Sequence, residues 1–223
     1  MSQLLDDIVN NLWQRIMMQL DADDGETCVF YLRKVRQKIY FALEIYESLK
    51  KNIDDYKWKY NQKKVLNSTH IEMDFDHIIY CLRGSLSFLA LLVCSVIPSS
   101  SYDRVTNKSR VLSLEDVVVQ LKSYKQESLV HKLWIYISEN INTEWYRELN
   151  EFRIDIFYDR FQNYPRVTTY TLEHQLLDMN CLLADDAADG SMNTDKKNIL
   201  TYTRWLITEV ENTVINILEL LDI

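Results

Sequence analysis

Three glycines and two prolines among 223 residues constrain this chain more than any motif does. Glycine and proline punctuate tight turns and sheet corners, so their scarcity predicts long helices with few sharp turns. The apolar residues agree. In residues 3–20 they recur at Leu5, Ile8, Leu12, Ile16 and Leu20, the spacing of one face of an amphipathic helix. "DADDGE" is expected to break that helix. A second is expected from about 28 to 65, with the stripe Leu32, Val35, Ile39, Ala42, Ile45, Leu49, Ile53, Tyr56 and Tyr60. Its alternating threes and fours resemble a coiled-coil seam, although core packing serves the same pattern.

Helix starts are written in the polar residues. "NSTHIE" offers Thr69 as a cap with Glu72 three residues on, and "SLED" offers Ser113 with Asp116; both are capping boxes. Between them "SLSFLALLVCSVI", Ser85–Ile97, is apolar on every side. A helix that is hydrophobic all round is surrounded by other helices. At thirteen residues the stretch falls short of the roughly 20 that a bilayer crossing needs, so it is read as the centre of the core and no membrane is expected. Further helices are expected through Val117, Val118, Leu121 and Tyr124, through Leu129, Leu133, Trp134 and Ile137, and from near Asp195 to Leu221. "YPRVTTYT" is the one stretch with an extended character. The acidic, small-residue run at about 184–194 reads as a loop. The expectation is an all-α fold. It has six to seven helices in a single bundle around a central apolar helix, as one domain over residues 1–223.

The formal net charge of −8 argues against a broad electrostatic grip on nucleic acid and leaves room for a local basic groove. Cys28, Cys81, Cys94 and Cys181 form no CxxC pair and read as buried free thiols in a reducing compartment. Asp6 and Asp7 stand where a secretory leader would be basic, so a cytoplasmic location is expected. No Walker loop, GxGxxG, HExxH or GxSxG is present, and no cofactor is expected. His70, Asp74 and His77 share one helical face as a weak metal edge without a fourth ligand in sequence. His131 and His174 have no nucleophile arranged around them, and Asp185, Asp186 and Asp189 read as solvated.

The segment "NTEWYRELNEFRIDIFYDRF", 142–161, raises a sharper question. At 100° per residue, with Leu149 as zero, Ile156 lies near −20°, Arg160 near about +20°, Arg153 near about +40°, Tyr146 near about +60° and Asn150 near about +100°. Glu148, Glu151, Asp155 and Asp159 fall on the opposite, wet side. The arginines therefore border the buried stripe, where a guanidinium needs an acid, a carbonyl or a phosphate. A structural ion pair and a ligand site both meet that need.

"YRELNEFRIDIFYDRF" resembles the signature helix of HEPN-type all-α proteins, in particular the bacterial HEPN-like proteins of unassigned function. Leu149 and Arg153 take the family's leucine and arginine. The polar residue after the arginine would fall at Ile154, and the histidine five residues after it at Tyr158; both depart. No arginine in the chain has a histidine five to seven positions downstream. The resemblance covers about twenty residues and the helical layout. It implies a bundle that dimerises through the motif helix, and in active members a metal-independent RNase with arginine and histidine facing one cleft. Tyrosine titrates near 10 and replaces a histidine near 6.5 poorly as a proton carrier. The expectation is thus a homodimer without the nuclease pair that binds RNA or a protein partner, with Arg153, Arg160, Asn150, Tyr158 and Tyr146 lining its groove. The rival expectations are an adaptor assembling through the long helix and an RNase with altered catalytic residues.

Overall fold

The computed structural model describes residues 3–61, 69–97, 113–122, 128–150 and 199–221. Among these every regular element is a helix: α1 (Gln3–Gln19), α2 (Ala22–Asn61), α3 (Thr69–Val96), α4 (Leu114–Leu121), α5 (Leu129–Asn140), α6 (residues 144–150) and α7 (Ile199–Leu220). The all-α fold expected from the sequence is what the chain adopts. The extended stretch, the acidic run, and the expected start of the last helix near Asp195 lie outside the described residues.

α2 starts earlier than the sequence suggested. Only the first residue of "DADDGE" belongs to the break between the first two helices: Leu20 and Asp21 separate them, and Ala22 already opens α2. Asp23 and Asp24 fall in the first turn, where their charges oppose the positive end of the helix dipole. Gly25 sits under the end of α1, where a Cβ would meet Ile16 O and Met17 Sδ at 3.8 Å. The 40 residues of α2 span on the order of 60 Å. Of its stripe, Leu32, Val35, Ile39, Ala42, Leu49, Ile53 and Tyr56 are buried and Ile45 is half-buried, while the side chain of Tyr60 lies outside the described residues.

α3 is the central helix. From Cys81 to Ile97 no residue is exposed, and α3 packs against α2, α4 and α7. Burying a leucine such as Leu82, Leu89 or Leu92 contributes roughly 1.5–3 kcal/mol each. The apolar span is longer than the sequence reading took it to be. Met73–Val96 is 24 residues, long and apolar enough to cross a membrane by length and composition, with mean hydropathy 1.8 over its most apolar 18-residue window. Within that window 56% is buried by the rest of the fold. Thr69 is the first residue of α3 and not its cap, which moves the cap position outside the described residues.

The cap of α4 holds as drawn. Asp116 N donates to Ser113 Oγ at 3.4 Å and Ser113 N donates to Asp116 Oδ2 at 3.0 Å. Ser128 Oγ accepts from His131 N at 3.1 Å and starts α5. α7 closes the inner side of the bundle against α1, α2, α3 and α5. Polar bonds fix its register: Tyr46 OH donates to Leu200 O at 3.2 Å, Thr213 Oγ1 to Asn140 Oδ1 at 3.1 Å, and Asn216 Nδ2 to Tyr136 OH at 2.8 Å.

Candidate functional site

α6 carries the first part of the segment with the bordering arginines. Trp145, Tyr146 and Leu149 are buried at its start, as the helical angles required. Arg153, Tyr158 and Arg160 lie outside the described residues. Asn150 and Tyr146 lie within them, and both are drawn into one polar junction.

Four side chains from three helices make that junction. Tyr146 OH donates to Glu115 Oε2 at 2.7 Å, and Asn150 Nδ2 donates to Glu115 Oε1 at 3.3 Å. Arg83 Nη1 donates to Asn150 Oδ1 and, at 3.2 Å, to the carbonyl of Leu149. Glu115 therefore receives a donor on each oxygen, and Asn150 is engaged at both ends of its amide. Burial pushes the Tyr146 hydroxyl well above the usual tyrosine value, and the adjacent Glu115 charge and hydrogen bond push it further. Asn150 and the Arg83 charge pull it partly back. The phenol is thus held as a neutral donor. On the other side of α6, Tyr202 OH of α7 donates to Glu148 Oε2 at 2.6 Å.

Arg83 and Glu115 were missed as site residues in the sequence. Arg83 was only the polar boundary of the apolar run, and Glu115 only the middle of a cap. Their partners are 67 and 35 positions away, a separation that helical periodicity does not carry. One local signal was present: a half-buried arginine on the core helix demands an acceptor.

His70 and His77 are exposed, while Asp74 accepts from Asn52 Nδ2 of α2 at 2.7 Å. Among the described residues no group of three or more His, Cys, Asp or Glu side chains is placed to hold a metal, so this edge does not close into a site. His131 stacks on Trp134 with centroids 5.1 Å apart; His174, Asp185, Asp186 and Asp189 lie outside the described residues. Cys28 and Cys81 are buried, and Cys94 donates to Gln120 Oε1 at 3.1 Å. Burial pushes the Cys94 thiol up to about 12, helped by the Asp116 charge, and burial raises Cys81 against the pull of Lys38. These are unreactive thiols at neutral pH; Cys181 is outside the described residues. An open depression of about 500 Å³ between α2 and α7 is lined by Leu43, Glu44, Tyr46, Glu47, Lys50 and Arg204. None of the residues singled out in the sequence lines it.

Compared with known proteins, the chain matches no family model, no curated protein and no solved structure.

Proposed function

We propose that this chain is a HEPN-like helical protein that acts by binding, with RNA as its ligand, and does not cut what it binds. The observation that supports binding without cutting is the junction around Glu115, which leaves no proton carrier there among the described residues. In the segment that carries the resemblance, Tyr146 and Asn150 are spent on Glu115 and Arg83. Such groups hold a helix in place; they do not transfer protons, and the raised Tyr146 hydroxyl stays protonated at neutral pH. The position of the family's histidine is Tyr158, a residue that keeps its proton in that range.

The test is labelled single-stranded RNA mixed with the full chain at low salt without metal, read for both shift and cleavage. A salt-sensitive shift with intact RNA is expected. Metal-free cleavage that disappears in Arg153→Ala, with folding preserved, overturns the proposal in favour of an RNase with altered residues. A second reading, an adaptor that pairs as a homodimer through its long helix, is favoured by one feature. α2 runs 40 residues and leaves Trp58 near its end 55% exposed. A mass in solution that stays monomeric at every concentration counts against it.

A further inference from the structure

The sequence run "RKVRQK", Arg33–Lys38, places four cations in six residues of a chain whose net charge is −8. Between Glu26 and Glu44 α2 has no acid at all. With Phe30 as zero, 100° per residue puts Arg33 near −60°, Gln37 near −20°, Phe41 near about +20°, Lys34 near about +40° and Lys38 near about +80°. The buried residues Val35, Ile39 and Ala42 lie on the far side, between about 120° and 180°. The cations thus occupy the outer side of α2, with α1 along one flank and α3 along the other.

Each cation lies against an aromatic ring. The Arg33 guanidinium is 4.7 Å from the Trp13 ring of α1, and Lys38 Nζ is 4.4 Å from the Tyr80 ring of α3. Lys34 Nζ is 5.6 Å from the Phe30 ring, and Arg36 lies 5.0 Å from Tyr40. Gly84 of α3 makes room for the Lys38 stem, whose Cε would be 3.3 Å from an added Cβ. Phe30 also meets Phe88 of α3 edge-on at 6.2 Å. These rings are not core residues: Trp13 is 40%, Phe30 50% and Tyr80 66% exposed. The acid that α1 brings here, Asp6, is already bonded by Arg36 Nε at 2.7 Å and by Tyr40 OH. Arg36 is thereby neutralised, and Arg33, Lys34 and Lys38 are left as the positive charge of the surface.

We propose that the outer side of α1, α2 and α3 binds single-stranded nucleic acid, with Arg33, Lys34 and Lys38 taking its phosphates and Trp13, Phe30 and Tyr80 stacking on its bases. The two chemistries together select this ligand. Exposed rings beside cations are the platform on which unpaired bases stack while the backbone is held electrostatically. A duplex hides its base faces, and an acidic peptide has phosphate-like charge without flat rings. Large exposed aromatics on one side of a soluble fold mark a contact surface. The inference rests on the reading of the chain as an RNA binder but places the ligand on α1, α2 and α3 and not on the segment that carries the resemblance.

The experiment is fluorescence anisotropy of a labelled single-stranded RNA against the full chain over a range of salt. The variants are Lys34→Ala/Lys38→Ala, Phe30→Ala/Tyr80→Ala and Arg153→Ala, each checked for helicity, and the same sequence is also presented as a duplex. The lysine pair is expected to flatten the slope of log affinity against log salt by about 1.4, two phosphates' worth for a single strand. The aromatic pair is expected to weaken binding by roughly 20-fold or more at unchanged slope. The duplex is expected to bind more weakly than the single strand. If both double variants bind as the parent does while Arg153→Ala loses binding, this surface is overturned and the RNA reading stands. Equal binding of duplex and single strand, with no effect of the ring substitutions, overturns it in favour of a general polyanion or acidic-protein contact. No binding by the parent overturns both.

Discussion

The junction at Glu115 and the outer side of α2 use the same residue types to opposite ends. Arg83 and Tyr146 are tied to named acceptors within the fold, and Tyr146 is only 4% exposed. Arg33 and Tyr80 point outward, and Tyr80 is 66% exposed. Inside, a polar group is tolerated only if its hydrogen bonds are met, so each member of the junction fixes the next. Outside, a cation over a ring costs little to leave facing water and retains its charge for a ligand. The difference teaches that an arginine or tyrosine on a helix border says nothing about role until its neighbours are known.

That contrast can be broken or sharpened by substitution. Glu115→Ala is expected to have the largest effect, because it strands the Tyr146 hydroxyl and one end of Asn150 together. A loss of about 2–3 kcal/mol in chemical denaturation is expected; a loss no greater than that of a surface substitution would mean the junction is not a unit. Tyr146→Phe tests the same place through pH. The folded chain holds the Tyr146 proton more tightly than the unfolded chain does. Its contribution is therefore complete below the ordinary tyrosine value near 10 and is lost as pH rises from there toward the higher folded value. The parent's stability should fall more steeply than the variant's above about pH 10; parallel curves would refute the assignment. Gly84→Ala on the outer side is expected to do least. Only the flexible Lys38 stem stands near the new Cβ, so relief of a helical glycine should stabilise by about 0.5–1 kcal/mol. A destabilised variant would show that the Lys38 stem cannot give way.

The fold was legible because its signals are local. Scarce glycine and proline, the apolar stripe of α2 and the all-round apolar α3 each report on adjacent turns of one helix, and so does the Ser113–Asp116 cap. The start of α2 was misread because four acids and a glycine look like a loop, yet acids suit a helix N-terminus. The site was legible only as a border. Tyr146 and Asn150 were placed correctly beside the buried stripe, but Arg83 and Glu115 reach them from other helices. The run Arg33–Lys38 was passed over because the stripe of α2 was read only on its buried side. Trp13 and Tyr80, which give those cations their setting, belong to α1 and α3.

The pairing of α2 with α3 has a consequence for how the chain reaches this arrangement. The two helices are successive in sequence and share the most extensive interface of the described residues. Few residues separate them in sequence, so bringing them together costs little entropy and they can pair early and fast. α7 must return from more than a hundred positions downstream to cover them, as the bond between Tyr46 and Leu200 across 154 positions illustrates. The docking of α7 is therefore expected to follow that pairing, and substitutions on its inner face at Leu206 or Val210 are expected to hasten unfolding more than they delay the first collapse, as folding and unfolding rates measured across denaturant would show.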